Sequence, residues 1–261
     1  MLDEATIAAI ADDLAQAERT GEKIGLLTAK YPDMTVEDSY AVQNEWRRRG
    51  EAAGRRLYGH KIGLTSKPMQ QATGISEPDY GAIFADQVYD TGAVIDHSQY
   101  SGVRIEVELA FVLRQELRGP DVSLFDVLRA TEYVVPALEV LSSRIEMDGR
   151  TIVDTISDNA ALGAMVLGGR PVAVDAVDLR RVNALLYRNE TIEDSGVAAA
   201  VLDHPARGIV WLANKLAEHG DVLPAGETVL AGSFTRPMWV HPGDTVHADY
   251  GELGAITCRF V

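Results

Sequence analysis

Glu106 and Glu108 stand two residues apart in Val103-Arg104-Ile105-Glu106-Val107-Glu108-Leu109-Ala110-Phe111-Val112-Leu113. Side chains alternate faces along a strand. Val103, Ile105, Val107, Leu109, Phe111 and Leu113 therefore share one face, and Arg104, Glu106 and Glu108 share the other. An edge strand with one wet face is the plain alternative. Ala110 and Val112 continue the supposedly wet face as apolar, which argues against it. Two neighbouring carboxylates repel, and a hard divalent cation removes that cost because carboxylate oxygens are its preferred ligands. Glu139 is the third candidate ligand. It is embedded in the apolar run Val134-Val135-Pro136-Ala137-Leu138-Glu139-Val140-Leu141, where a charge needs a partner. That partner is either a cation shared with Glu106 and Glu108 or a salt bridge, for instance to Arg144.

Lys61 lies among glycines and apolar residues in Tyr58-Gly59-His60-Lys61-Ile62-Gly63-Leu64. It is either a surface residue on an irregular strand or a desolvated amine able to move protons. His60, on the opposite face of such a strand, reads as structural. Asp79, in the loop signal Glu77-Pro78-Asp79-Tyr80-Gly81, is a candidate carboxylate near the site. Ser157 and Asn159, in Asp154-Thr155-Ile156-Ser157-Asp158-Asn159, offer small polar donors, as does Thr235, in Gly232-Ser233-Phe234-Thr235-Arg236-Pro237. Such segments suit a carboxylate or oxo group and equally suit ordinary turns. No hydrolase nucleophile elbow or phosphate-cradling glycine loop is visible, and no clear His–Glu pair for activating water.

Elements must position these residues. Ile7, Ile10, Leu14 and Ala17 predict a helix over 3–20. A second helix starts at Thr35, where Thr35 and Asp38 resemble a capping box, and ends before Gly54. Strands are expected over 58–64, 102–114 and 134–140, and short helices over 67–73 and 123–131. Residues 157–167 fit helix or strand. A hairpin is expected over 180–196, turning at Asn189-Glu190, then a helix from Pro205 to Glu218 with Asp203 as its cap and Gly220 as its stop. The last forty or so residues read as short strands between turns, with Cys258 a buried core residue. Helices followed by mostly strands predict an α+β fold. The expected division is a helical portion at 1–55 and a metal-binding core at 56–261.

The net charge of -15 argues against a nucleic-acid partner. Arg47, Arg48 and Arg49 sit beside Glu45 and Glu51 and read as a solvated helix face. A single cysteine rules out an internal disulfide and a cysteine zinc site. The acidic N-terminus lacks a signal-peptide pattern and no apolar run is long enough to span a bilayer, so the cytoplasm is the expected compartment and no membrane partner is expected.

Taken together, Gly59-His60-Lys61-Ile62-Gly63-Leu64-Thr65-Ser66, Glu77-Pro78-Asp79-Tyr80-Gly81, Arg104-Ile105-Glu106-Val107-Glu108, Pro136-Ala137-Leu138-Glu139, Asp154 to Asn159 and Gly232 to Pro237 resemble the hydratase/decarboxylase family of meta-cleavage pathways, within the fumarylacetoacetate-hydrolase superfamily. The likeness runs from the first helix to Val261. It implies mixed β-sheets rolled around the site, an N-terminal helical portion, Mg2+ or Mn2+ on Glu106, Glu108 and Glu139, and a homo-oligomer, pentameric or decameric. The implied reaction is addition of water to a small 2-oxo-enoate derived from a 2-hydroxydienoate, with Lys61 and Asp79 moving protons and orienting water. Ser157, Asn159 and Thr235 are expected at the substrate, and Arg104 or Arg236 at a second carboxylate. Decarboxylation of an unsaturated 2-oxo diacid uses the same residues. A non-catalytic partner subunit is the reading of another class, and it would be expected to have lost Lys61 or a glutamate.

Overall fold

The computed structural model describes residues 1–67, 70 and 77–261. Helices lead the chain. In α1 (Glu4–Thr20) the Asp3 carboxylate accepts from the Thr6 N–H, and Gly21 ends the helix in the left-handed region at φ 71°. One short turn, α2 (Leu27–Lys30), leads to α3 (Val36–Ala52), which opens on the expected Thr35–Asp38 capping box. Ile10 and Leu14 of α1 and Val42 and Trp46 of α3 pack in one cluster with Phe84 and Ile145. The helical layer is thus fastened to the strand-rich part by shared apolar burial.

The strands, in chain order, are β1 (Leu57–Gly63), β2 (Asp79–Phe84), β3 (Val88–Asp90), β4 (Val94–Ile95), β5 (Arg104–Leu113), β6 (Thr131–Leu141), β7 (Leu162–Leu167), β8 (Asn183–Arg188), β9 (Thr191–Val197), β10 (Thr228–Leu230), β11 (Met238–Trp239), β12 (Thr245–Asp249) and β13 (Ala255–Phe260). Between them lie α4 (Leu124–Ala130), α5 (Ile152–Ser157) and α6 (Ala206–Ala217). The larger sheet has the order β2-β1-β10-β5-β6-β7-β3, with β11 paired to β5, and the smaller has the order β4-β13-β12-β8-β9. This is the expected α+β architecture.

The larger sheet curls. Ile83 of β2 packs in one cluster with Leu162 and Met165 of β7, although four strands separate β2 from β7 in the sheet. Asn159 closes the seam. Its side-chain amide donates to Ala82 O at 2.8 Å and accepts from Ala82 N at 2.7 Å, as a neighbouring strand would. Asn159, Ala160 and Ala161 all have left-handed φ, at 50°, 50° and 58°. Three such non-glycine residues in a row are costly and persist only where the surroundings fix them. Gly81 permits the approach: a Cβ there would lie 2.4 Å from Asn159 O.

Several sequence expectations resolve here. The ambiguous 157–167 stretch is the end of α5, the left-handed turn and then β7, so neither periodicity spans it. Asn189 and Glu190, both at positive φ, turn the β8–β9 hairpin. Cys258 is 1% exposed. Asp203 does not cap α6; Pro205 holds that position, and Asp203 pairs with Arg180 instead. Most of the helix expected over 67–73 lies outside the described residues.

Candidate metal centre and active site

The pairing of β5 with β6 sets Glu106 directly opposite Glu139. Alternation puts Glu106 and Glu108 on one face, and the register brings Glu139 to that same face. One carboxylate oxygen from each of the three lies within 4.8 Å of the other two. Glu108 and Glu139 are fully buried, and Glu106 is half-buried. Lys61 enters from β1, with Nζ 3.1 Å from Glu139 Oε1, close enough for an ion pair but not aligned as a hydrogen bond. The Glu139–Arg144 salt bridge considered from the sequence does not form. Arg144 donates to Asp158 Oδ1 at 2.5 Å.

Asp79, on β2, stands across from Gly63 on β1. A Cβ at Gly63 would lie 2.2 Å from Asp79 Oδ1 and 3.1 Å from Lys61 Nζ. The missing side chain is what lets amine and carboxylate face one another. Beneath the charged groups the same sheet face is apolar: Ile83, Ala110, Ala137, Met165 and Leu230 form its floor. That floor keeps the local dielectric low and raises the stakes of every charge above it.

Among the described residues, five buried carboxylate oxygens there have no hydrogen-bond partner: Glu108 Oε1, both of Glu139 and both of Asp79. Only Glu108 Oε2 is served, by the Gly232 N–H at 2.8 Å. Orphaned buried acceptors demand an explanation. A hard divalent cation on Glu106, Glu108 and Glu139 supplies one for the oxygens of Glu108 and Glu139, and three oxygen donors leave positions for water and substrate. The donor set fits such an ion.

Electrostatics agree. Burial, and then the neighbouring Glu139, push Glu106 up to about 8. Burial followed by Glu139 and Glu106 holds Glu108 well above the usual carboxylate range. Burial raises Asp79, which Lys61 partly offsets. Burial alone would lower Lys61, but Glu139, Asp79, Glu106 and Glu108 outweigh it and keep the amine charged. A carboxyl raised in the fold contributes stability below its unfolded pKa and loses it as pH rises through the folded value. Metal-free protein is therefore expected to lose thermal stability between about pH 4.5 and about 8, and saturating Mg2+ should flatten that slope. Melting curves with chelator and with Mg2+ across this range check it; a chelated protein that gains stability toward pH 8 would contradict the reading.

A cavity of about 200 Å³ opens over these groups. Lys61, Asp79, Arg104, Glu106 and Thr235 line it, and Glu108 and Glu139 cluster with Glu106, so the structure brings these seven candidate residues together. Thr235 Oγ1 also accepts from the Val107 N–H at 3.1 Å. Three residues expected at the substrate point elsewhere. Ser157 donates to Val153 O within α5, Asn159 is spent on Ala82, and Arg236 is exposed and paired with Asp194. Arg150 lines the cavity and was not foreseen. Its position depends on a loop whose course no periodicity reveals. A His–Glu pair, not evident in the sequence, does form. His60 Nδ1 meets Glu227 in a short buried contact between residues 167 apart in sequence. It lies on the face of β1 opposite Lys61 and does not border the cavity.

Known proteins show the same plan. The fumarylacetoacetate hydrolase C-terminal family model matches residues 60–261. The 2-oxo-hept-4-ene-1,7-dioate hydratase of Escherichia coli is 53% identical over the full length of both chains. The 4-oxalocrotonate decarboxylase of Pseudomonas putida is 36% identical, covering 100% of this chain and 98% of the relative. The solved 4-oxalocrotonate decarboxylase from Pseudomonas putida G7, complexed with magnesium and adipate, superposes with a TM-score of 0.98 at 36% identity, covering 100% of this chain and 99% of that one. The carboxylate cluster on a rolled sheet, the match over residues 60–261 and a relative sharing half of its residues end to end place this chain in the fumarylacetoacetate hydrolase family.

Proposed function

We propose that the protein is a divalent-cation-dependent hydratase that adds water to 2-oxohept-4-ene-1,7-dioate, formed from its 2-hydroxydiene, to give 4-hydroxy-2-oxoheptanedioate. The observation that carries this is the convergence of Glu106, Glu108 and Glu139, the last two with orphaned buried oxygens, beside the cavity lined by Lys61, Asp79 and Glu106. The 53% identical relative supplies the substrate. Glu106, Glu108 and Glu139 would hold Mg2+ or Mn2+; the solved decarboxylase carries magnesium. When bound, the ion supplies Lewis acidity toward the C1 carboxylate and C2 oxygen of a 2-oxo acid.

The chain's own residues then have distinct tasks. Lys61 is charged and buried, and so can donate a proton to the carbon skeleton at the dienol stage and take one back. Asp79, raised and facing Lys61, accepts a proton from water or orients it toward C4. The apolar floor excludes bulk water from the remaining positions. Thr235 and Arg104 border the space left for substrate. In solution a homo-oligomer is expected.

A decarboxylase reading rests on the near-complete superposition with the decarboxylase structure. One assay separates the two. Chelator-stripped protein is given freshly generated 2-hydroxyhepta-2,4-diene-1,7-dioate with and without Mg2+, following ultraviolet loss of the diene and product mass. Cation-dependent loss with gain of one water is expected. Release of CO2 from 4-oxalocrotonate, without hydration of the dienoate, would move the assignment to the decarboxylase.

A further inference from the structure

Beside the cavity two guanidinium groups meet on one buried hydroxyl. Arg104 Nη2 donates to Ser143 Oγ at 3.0 Å, and Arg150 Nη1 donates to the same atom at 3.3 Å. Both arginines line the cavity that holds Lys61, Asp79 and Glu106. Arg104 sits on the carboxylate face of β5, one strand repeat from Glu106, which is roughly 7 Å. The Trp239 ring covers its guanidinium, with 5.5 Å between centres. Among the described residues Arg104 has no carboxylate ion pair.

Arg150 is also held in place. Its Nη2 makes a short contact with Asp158, whose side chain is itself fully buried. That leaves Nε, buried and, among the described residues, without a partner. Asp158 cannot neutralise the pair, because Arg144 claims its other oxygen and its charge. Two converging cations with one surplus buried donor mirror the carboxylate end. The arrangement is satisfied by an anion lying between them, and a planar guanidinium is suited to a carboxylate.

We propose that Arg150, together with Arg104, forms the seat for the distal carboxylate of a dicarboxylate substrate, so that this site selects 2-oxo dioates over 2-oxo monoacids. This rests on the reading above in one respect: the 2-oxo acid end lies at Glu106, Glu108 and Glu139. The spacing then sets the selection. The first carboxylate occupies the cation end, and a chain long enough to cross about one strand repeat delivers the second to the arginines. Arg236 is not part of the seat, being 81% exposed at its side chain and paired with Asp194.

The test compares wild type, Arg150→Met and Arg150→Lys, all with saturating Mg2+, on 2-hydroxyhepta-2,4-diene-1,7-dioate and 2-hydroxypenta-2,4-dienoate. The ratio of kcat/KM for dioate over monoacid is expected to fall roughly 10–100-fold in Arg150→Met, carried by KM for the dioate, with partial recovery in Arg150→Lys. A ratio within about twofold of wild type in both variants overturns the proposal, because a merely structural role would depress both substrates together. Calorimetric titration of adipate and of hexanoate into Mg2+-loaded wild type needs no variant and guards against a misfolded one. Adipate is expected to bind at least tenfold tighter, and equal binding overturns the proposal. If wild type hydrates neither substrate yet prefers adipate, the seat stands and the hydratase reading falls; hydration of both with equal KM does the reverse.

Discussion

Glu108→Gln is expected to lower Mg2+-dependent turnover by on the order of 10²–10³-fold or more while leaving the metal-free protein as stable as the parent, or more so. The two effects separate because Glu108 works against the fold. It is fully buried, Oε1 has no partner, and burial with Glu139 and Glu106 nearby holds its carboxyl well above the usual range. Glutamine keeps an acceptor for the Gly232 N–H and removes one charge from a crowded, low-dielectric site. In chelator, above about pH 7, the variant should melt at or above the parent's temperature. The stabilisation that Mg2+ gives the parent should largely vanish, since ligand-linked stability scales with affinity. Loss of a charged ligand also removes charge stabilisation of the kind worth 10²–10³-fold or more. A Glu108→Gln protein that keeps both its Mg2+-induced melting shift and its activity would remove this residue from the cation site.

Legibility of the sequence followed the range of the interactions involved. The alternation in Val103 to Leu113 assigned both faces of β5 because strand geometry is local. The Thr35–Asp38 capping box was legible for the same reason, spanning three residues. The carboxylate cluster could be suspected from Glu106 and Glu108, but Glu139 joins it through cross-strand register, which spacing does not encode. His60–Glu227 and the Asn159 seam are contacts between distant segments, and Arg150 reaches the cavity from a loop without periodicity; each was missed or assigned otherwise. Asn159 is instructive. Its small polar side chain and the family likeness suggest a substrate contact, whereas three left-handed residues make it a clamp on Ala82. Closing the roll consumes polar groups that the sequence pattern alone offers to a ligand.

Lys61→Met is the second change with a large expected effect, and it separates what the lysine does for the fold from what it does for the reaction. Among the described residues Lys61 makes the only ion pair with the glutamate cluster. Methionine fills similar space on the apolar floor but leaves Glu139 without its cation. Removing one partner of a buried pair costs about 3–5 kcal/mol. Chelated Lys61→Met at pH 8 should therefore unfold at clearly lower urea concentration than the parent. Mg2+ should restore much of that loss by supplying another positive charge. Activity should not return with it, because the proton-transfer group is gone; kcat is expected to stay about 10²–10⁴-fold low at saturating Mg2+. The double variant Lys61→Met/Glu139→Gln sharpens the distinction. Removing both charges should recover most of the lost stability, giving a large coupling energy in the cycle, while turnover remains at least as low as in either single variant. A Lys61→Met enzyme whose kcat returns to parental values once Mg2+ has restored its stability would make Lys61 a counter-ion to Glu139 with no part in moving protons.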